Sequence, residues 1–182
     1  TITSLTIQRS GSSVVNYASI SALIVNADDG VDTFNVNSIG GLMEATLNGG
    51  DGNDTFNVGG GDYDSNIDGD VQINGGAGID RLDIEDLTDT LVDTYNVNAT
   101  SFNKNGTGAT TRYGNTLILG SVTIEQLLLN ASNVNSTINL FNLGGFSLAL
   151  PPIPPVDIPV DVTLNGGDGN DTIVTAGNDI DA

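Results

Sequence analysis

The sequence predicts an all-β fold, a parallel β-solenoid, on three observations. One turn-and-strand string recurs along the chain, the strands around it alternate apolar and polar residues, and the composition favours turns over helices. Of 182 residues, 24 are Gly, and among 23 acidic side chains only Glu44, Glu85 and Glu125 are not Asp. Asp bonds to nearby backbone in turns and competes with helix. A hydrophobic fraction of 38% is still enough for a core. The length suits one domain, read as two imperfect halves, about 1–97 and 98–182.

The first copy, Val25 to Val36, contains Asp28-Asp29-Gly30-Val31-Asp32 and closes on Thr33-Phe34-Asn35-Val36. Phe34 and Val36 on one face, with polar neighbours on the other, are the mark of a strand with one buried side. The second copy, Leu47 to Val58, adds a glycine pair, Gly49-Gly50, before Asp51-Gly52-Asn53-Asp54. The third, Ile73 to Asp83, reads Gly75-Gly76-Ala77-Gly78-Ile79-Asp80. Asp32 to Asp54 spans 22 residues and Asp54 to Asp80 spans 26, too long for a hairpin meander and suited to one coil. A coil cannot bury its own apolar face, so coils must stack. At one strand spacing each, the chain has length for about seven or eight of them.

Asp62, Asp64, Asp68 and Asp70 are dense but lie outside the repeats and read most simply as a solvated turn, with a lone extra calcium site as the alternative. Residues from about Asn98 to Asn115 carry turn formers and read as a long loop or an irregular hairpin. Leu129 to Leu140 keeps the strands of the repeat and loses its acids, with Asn135 in place of the last Asp. Residues 148–160 hold all five prolines and read as an extended insertion covering a flank or an end. The last full copy, Leu164 to Val174, contains Gly166-Gly167-Asp168-Gly169-Asn170-Asp171. Residues 178–182 enter another turn, which suits a segment whose coils continue or meet a neighbour. Asn26, Asn48, Asn74, Asn130 and Asn165 share one place before each turn and are expected to form an amide ladder.

Gly49 to Asn57, Gly75 to Asp83 and Gly166 to Val174 each match the nonapeptide G-G-x-G-x-D-x-U-x at every fixed position. The chain therefore resembles the RTX calcium-binding repeat proteins, and its irregular spacing resembles the degenerate repeats of long secreted bacterial surface proteins. The resemblance implies a β-helix- or β-roll-like solenoid whose glycine-rich turns hold calcium. By it, Asp54, Asp80 and Asp171 supply the principal carboxylates, with Asp32 their counterpart in the degenerate first copy. It makes Gly50, Gly52, Gly76, Gly78, Gly167 and Gly169 turn residues of the same sites, joined by Asp51 and Asp168. With matched turns once per coil, the expected arrangement is calcium along one edge, or isolated sites where turns are adjacent. The chemistry agrees: calcium wants six to eight oxygens, and stacked Asp carboxylates repel without a cation between them.

The expected function is a non-catalytic, calcium-stabilised structural segment of a secreted bacterial cell-surface, adhesin, sheath or fibre protein. The expected partners are calcium ions and, by end-to-end stacking of open coils, further copies in a homo-oligomer or filament. Without His or Cys there is no imidazole base and no thiolate. A net charge of −19, with only Arg9, Arg81, Lys104 and Arg112 basic, opposes nucleic acid and anionic lipid. No apolar run is long enough for membrane insertion. The first residue is Thr1 with no apolar leader, so an export signal is expected to have been removed or to lie outside this chain. The alternative is a parallel β-helix enzyme, or a carbohydrate-binding module, acting on acidic polysaccharide, with paired carboxylates as acid and base.

Overall fold

The computed structural model describes residues 5–7, 15–17, 20–41, 43–98, 100–105, 108–113, 124–141 and 161–176. The expectations for the proline-rich segment and for the turn at 178–182 fall outside these residues. The fold is mostly β, built on parallel sheets, with a single four-residue helical turn among the described residues, α1 (Tyr63–Asn66). No helix among them is long and apolar enough to cross a membrane.

A short antiparallel pair, β1 (Leu5–Ile7) and β2 (Val15–Tyr17), comes first. From there the chain alternates between two sheets. The larger contains β3 (Ala22–Asn26), β5 (Glu44–Asp51), β7 (Asp70–Ala77), β9 (Thr94–Asn98), β13 (Thr137–Phe141) and β15 (Thr172–Ala176). The smaller contains β4 (Thr33–Val36), β6 (Thr55–Val58), β8 (Arg81–Glu85), β12 (Gln126–Asn130) and β14 (Asp161–Asn165). In the smaller sheet every pairing is parallel, and Thr33, Thr55 and Arg81 stand in one register, as do Asn26, Asn48 and Asn74 in the larger. The intervals of 22 and 26 residues are thus the distances between neighbouring parallel strands. Among the described residues the smaller sheet has five strands, beside the seven or eight coils for which the chain has length.

Alternation explains the core. Phe56, Val58, Leu82, Ile84, Leu127 and Leu129 of the smaller sheet are buried, facing Leu47, Val71 and Ile73 of the larger. The Phe34 and Phe56 rings stack with centroids 4.8 Å apart, because equal residues in register fall on top of one another.

The region near Asn98 to Asn115 contains an irregular hairpin. Its strands β10 (Ser101–Lys104) and β11 (Thr111–Arg112) insert between β9 and β7; β10 is antiparallel to both β9 and β11, and β11 is parallel to β7. The larger sheet is therefore mixed and, among the described residues, has eight strands against five. The two halves also differ in which sheet each repeat enters. In the first half the repeat leaves the larger sheet and enters the smaller, as β5 to β6 and β7 to β8; in the second it leaves the smaller and enters the larger, as β12 to β13 and β14 to β15.

Three expectations are corrected, two of them by that switch and one by strand register. Asn48 donates to Asn26 at 2.5 Å and Asn74 to Asn48 at 2.6 Å, but Asn165 donates to Asn130 at 3.2 Å in a separate ladder. The five amides thus form two columns, one in each sheet, since Asn130 and Asn165 end strands of the smaller one. For the same reason the three nonapeptides divide between the two kinds of connection and do not form one row. In the fourth repeat, Thr137 pairs with Thr172, so Ser136 and not Asn135 stands level with Asp171.

Candidate metal centre

Each fixed position of the nonapeptide has a local reason. The last Asp folds back under its own turn and bonds to the coil before it. Asp54 Oδ1 accepts the Asp32 N–H at 2.8 Å, and Asp80 Oδ1 accepts the Asp54 N–H at 2.8 Å. Glu125 continues the series, its Oε2 accepting the Asp80 N–H at 2.8 Å. In the second half, Asp171 Oδ1 accepts the Ser136 N–H at 2.9 Å. Asp32 enters through its amide.

The first glycine makes space for that carboxylate. A Cβ on Gly49 would stand 2.2 Å from Asp54 Oδ2, and one on Gly166 would stand 2.3 Å from Asp171 Oδ2. The fourth position needs a conformation open to glycine: Gly52 has φ +143°, and a Cβ there would lie 1.6 Å from the Gly30 carbonyl oxygen of the preceding turn. Gly50, Gly76, Gly78, Gly167 and Gly169 occupy the corresponding turn positions. Asp51 is exposed, and its carbonyl accepts the Gly30 N–H at 2.7 Å. Asp168 is also exposed. The structure brings Asp32, Asp54 and Asp80 with their glycines into one series and leaves Asp168 and Asp171 in another.

One oxygen of each inner carboxylate has no partner. Asp54 and Asp80 are 1% and 0% exposed, and Oδ2 of each is buried without a hydrogen bond. No basic side chain pairs with either among the described residues. Burial pushes the Asp80 carboxyl up to about 6, and the neighbouring charges of Glu125 and Asp54 push the same way, against the pull of the Asp54 N–H. An unsatisfied buried oxygen costs about 1–3 kcal/mol. These are hard oxygen donors in a water-poor turn, a donor set that fits calcium.

A second group of acids forms where α1 and the connection from β8 to β9 meet the inserted hairpin. Carboxylate oxygens of Asp62, Asp64, Asp86 and Asp89 lie within 4.8 Å of one another, close enough to hold a metal ion. Lys104 already reaches into this group. Its Nζ stands 2.8 Å from Asp64 Oδ1, 2.8 Å from Asp86 Oδ2 and 3.1 Å from Asp93 Oδ2, and it bonds to Asp89 Oδ2. Asp86 also accepts the Tyr63 N–H at 2.6 Å and the Tyr95 hydroxyl at 2.6 Å. Asp62 caps α1 through the Ser65 N–H at 3.1 Å.

Titration follows from these contacts. Burial alone would lower the Lys104 ammonium, but the surrounding carboxylates outweigh it and raise it. Asp86 is raised by burial, against its bonds to Lys104 and Tyr95. Asp89 is buried too, yet Lys104 and the Leu91 N–H pull it down to about 2, while burial raises Asp93 to about 6.

The acid run at 62–70 is therefore not a solvated turn. Asp62 caps, Asp64 pairs with Lys104, and Asp70 pairs with Arg112 at 2.7 Å; Asp68 stays exposed. Asp86, Asp89, Asp93 and Lys104 were missed because their contacts cross up to 40 residues. The alternation Phe102-Asn103-Lys104 was the available signal, since it puts a lysine on the same face as a buried aromatic. No known protein family, curated protein or solved structure matches the chain.

Proposed function

We propose that this chain is a calcium-stabilised β-solenoid of RTX-like repeats, a non-catalytic structural segment of a secreted bacterial cell-surface, adhesin, sheath or fibre protein. The single observation that carries the reading is the pair of buried, unpartnered oxygens on Asp54 and Asp80, stacked in adjacent turns. Strands that alternate between two sheets and stay in register support the solenoid. Asp54 and Asp80 would hold the ion with oxygens of their turns, and Asp171 would serve the equivalent turn in the other half. Calcium supplies positive charge between like-charged rungs, so binding couples to folding. Such a chain is less stable where calcium is scarce and gains stability after export. The reading extends to end-to-end stacking of copies as the route to a fibre.

The acids of the 62–70 run, which would have to supply enzymatic carboxylates, are largely engaged in capping and ion pairs.

Calcium titrated into metal-stripped protein tests the reading by thermal melting. The melting temperature rises well beyond the effect of magnesium, by about 2.7 kcal/mol of stability at a hundredfold excess over Kd. The gain shrinks in Asp54→Asn/Asp80→Asn. A melt that calcium leaves unchanged removes calcium from the function.

A further inference from the structure

The first and last strand pairs of the two large sheets present matching halves of one repeat. Among the described residues β3 pairs only with β5 and β4 only with β6, while β14 pairs only with β12 and β15 only with β13. Tyr95, Ile138 and Ile173 share one column and are 0%, 1% and 55% exposed, so the core is covered inside the stack and open at β15. Phe34 is likewise less buried than Phe56, its partner in register. Unpaired strand edges beside uncovered apolar residues call for a further layer.

The two ends fit each other. Asn26 to Thr33 and Asn165 to Thr172 enclose turns of equal length, 27–32 and 166–171. Bonds that join successive turns are each cut there into a donor and an acceptor. A carboxylate takes the amide of the turn before it, as Asp171 takes the Ser136 N–H at 2.9 Å; the Asp171 N–H and the Asp32 carboxylate are left without such a bond among the described residues. The Asn53 side chain accepts the Ile79 N–H at 2.9 Å and Asn135 accepts the Asn170 N–H at 2.8 Å, with Asn170 and Val31 in the outer places. The Gly30 N–H donates to the Asp51 carbonyl and the Gly52 N–H to the Ala77 carbonyl, both at 2.7 Å, with Gly169 and Asp29 in the outer places.

We infer that copies of this chain stack end to end with β3 of one copy on β14 of its neighbour and β4 on β15, each copy turned by half a revolution about the stack. The half-turn follows because β3 belongs to the larger sheet and β14 to the smaller. In this register Asn26 meets Asn165 and Thr33 meets Thr172. Across the contact Asp32 takes the Asp171 N–H, Asn170 takes the Val31 N–H, and Phe34 closes over Ile173. The stack joins what one copy divides: the amide column of Asn130 and Asn165 runs on into Asn26, Asn48 and Asn74, and the turn of Asp171 into those of Asp32, Asp54 and Asp80. An unrotated stack, β3 on β15 and β4 on β14, leaves both series divided. With a charge of −19 on every copy the facing acids need cations between them, and for these the inference rests on the calcium reading above.

Cysteine pairs read the register, since the chain has no cysteine of its own. Ile24→Cys is mixed, in calcium and under mild oxidation, with either Thr163→Cys or Val174→Cys, all three being exposed positions. In the half-turn stack Ile24 lies beside Thr163 of the neighbour at one strand spacing, within the reach of a disulfide, and far from Val174. The first mixture therefore cross-links and the second does not. A preference for Val174→Cys, equal yields from both, or no cross-link overturns the proposal. Ile173→Asp, added to the Thr163→Cys chain, sets a charge against Phe34 and abolishes the cross-link; a cross-link that survives it overturns the proposal too.

Sedimentation of the native chain in calcium gives a readout free of substitutions. Species that grow with protein concentration support the stack, and a monomer at every concentration used for cross-linking overturns it. The two readings separate in the Ile173→Asp chain, whose melting in calcium and in chelator reports ions held within one copy. A calcium shift there, with no cross-link from Ile24→Cys and Thr163→Cys, overturns the stack alone. That cross-link without any calcium shift keeps the stack and removes calcium.

Discussion

The glycine turns and the Lys104 group hold like charges together in opposite ways. Around Lys104 the chain brings its own cation, and each inward carboxylate has a donor. In the turns of Asp54 and Asp80 one oxygen of each carboxylate grips a backbone N–H and the other is buried without a partner. The first arrangement is complete as folded. The second leaves two buried oxygens unmatched, which the calcium proposed above would engage. Both flank the same core, so one chain combines a charge cluster matched from within with turns whose carboxylates are matched only in part.

The largest effect expected from this contrast is a difference in sign. Asp86→Asn puts an amide NH2 or an uncharged oxygen where Lys104 and the Tyr95 hydroxyl both donate, and costs about 3–5 kcal/mol, with or without calcium. Asp80→Asn keeps an acceptor for the Asp54 N–H and removes a buried charge. In metal-free protein it is neutral or stabilising; with calcium present it destabilises. Chemical denaturation of both variants in chelator and in calcium measures this, and equal behaviour of the two would erase the distinction between the regions.

A smaller effect lies in pH. The folded Asp80 carboxyl titrates at about 6, above the ordinary 3.8, so the folded state holds its proton through that window while the unfolded chain has lost it. The stability it contributes is full below pH 3.8 and is lost as pH rises to about 6, and Asp93 acts in the same direction. Metal-free protein should lose on the order of 2 kcal/mol from Asp80 across this interval. Calcium, which favours the carboxylate, should abolish that loss. Thermal melts at several pH values, with and without calcium, give both slopes.

How much of this is legible in the sequence differs between the two regions. The turns announce themselves because their determinants are local: Gly49, Gly52 and Asp54 lie within one turn, and the Asp-to-Asp intervals equal the strand-to-strand registers. Strand pattern fails where both outcomes look alike. β3 and β12 carry similar apolar alternation and yet sit in different sheets, because apolar alternation marks a buried face without saying which sheet the strand joins. The Lys104 group depends on residues far apart in the chain, and only the lysine on an apolar face hints at it. Asp68 alone of its run keeps the exposure that its composition suggests.

The smallest expected effect isolates the motif's geometry. Gly166→Ala pushes a methyl group into Asp171 Oδ2, whose site lies 2.3 Å away, and the close contacts at this position all belong to Asp171. In an Asp171→Ala background the same substitution should be tolerated. A double-mutant cycle by denaturant unfolding should return a coupling of about 1 kcal/mol, and simple additivity would mean that the first glycine serves something else.

The carboxylate clips along the turn series run one way. Asp54 reaches back to Asp32, Asp80 to Asp54, Glu125 to Asp80 and Asp171 to Ser136, so the later segment always completes the earlier one. The series consequently has a polarity that its nearly repeating residues do not suggest. Unravelling that begins at the C-terminal side frees one clipped amide per layer removed, whereas unravelling from the N-terminal side frees a carboxylate instead, and each direction meets a different chemistry at every step.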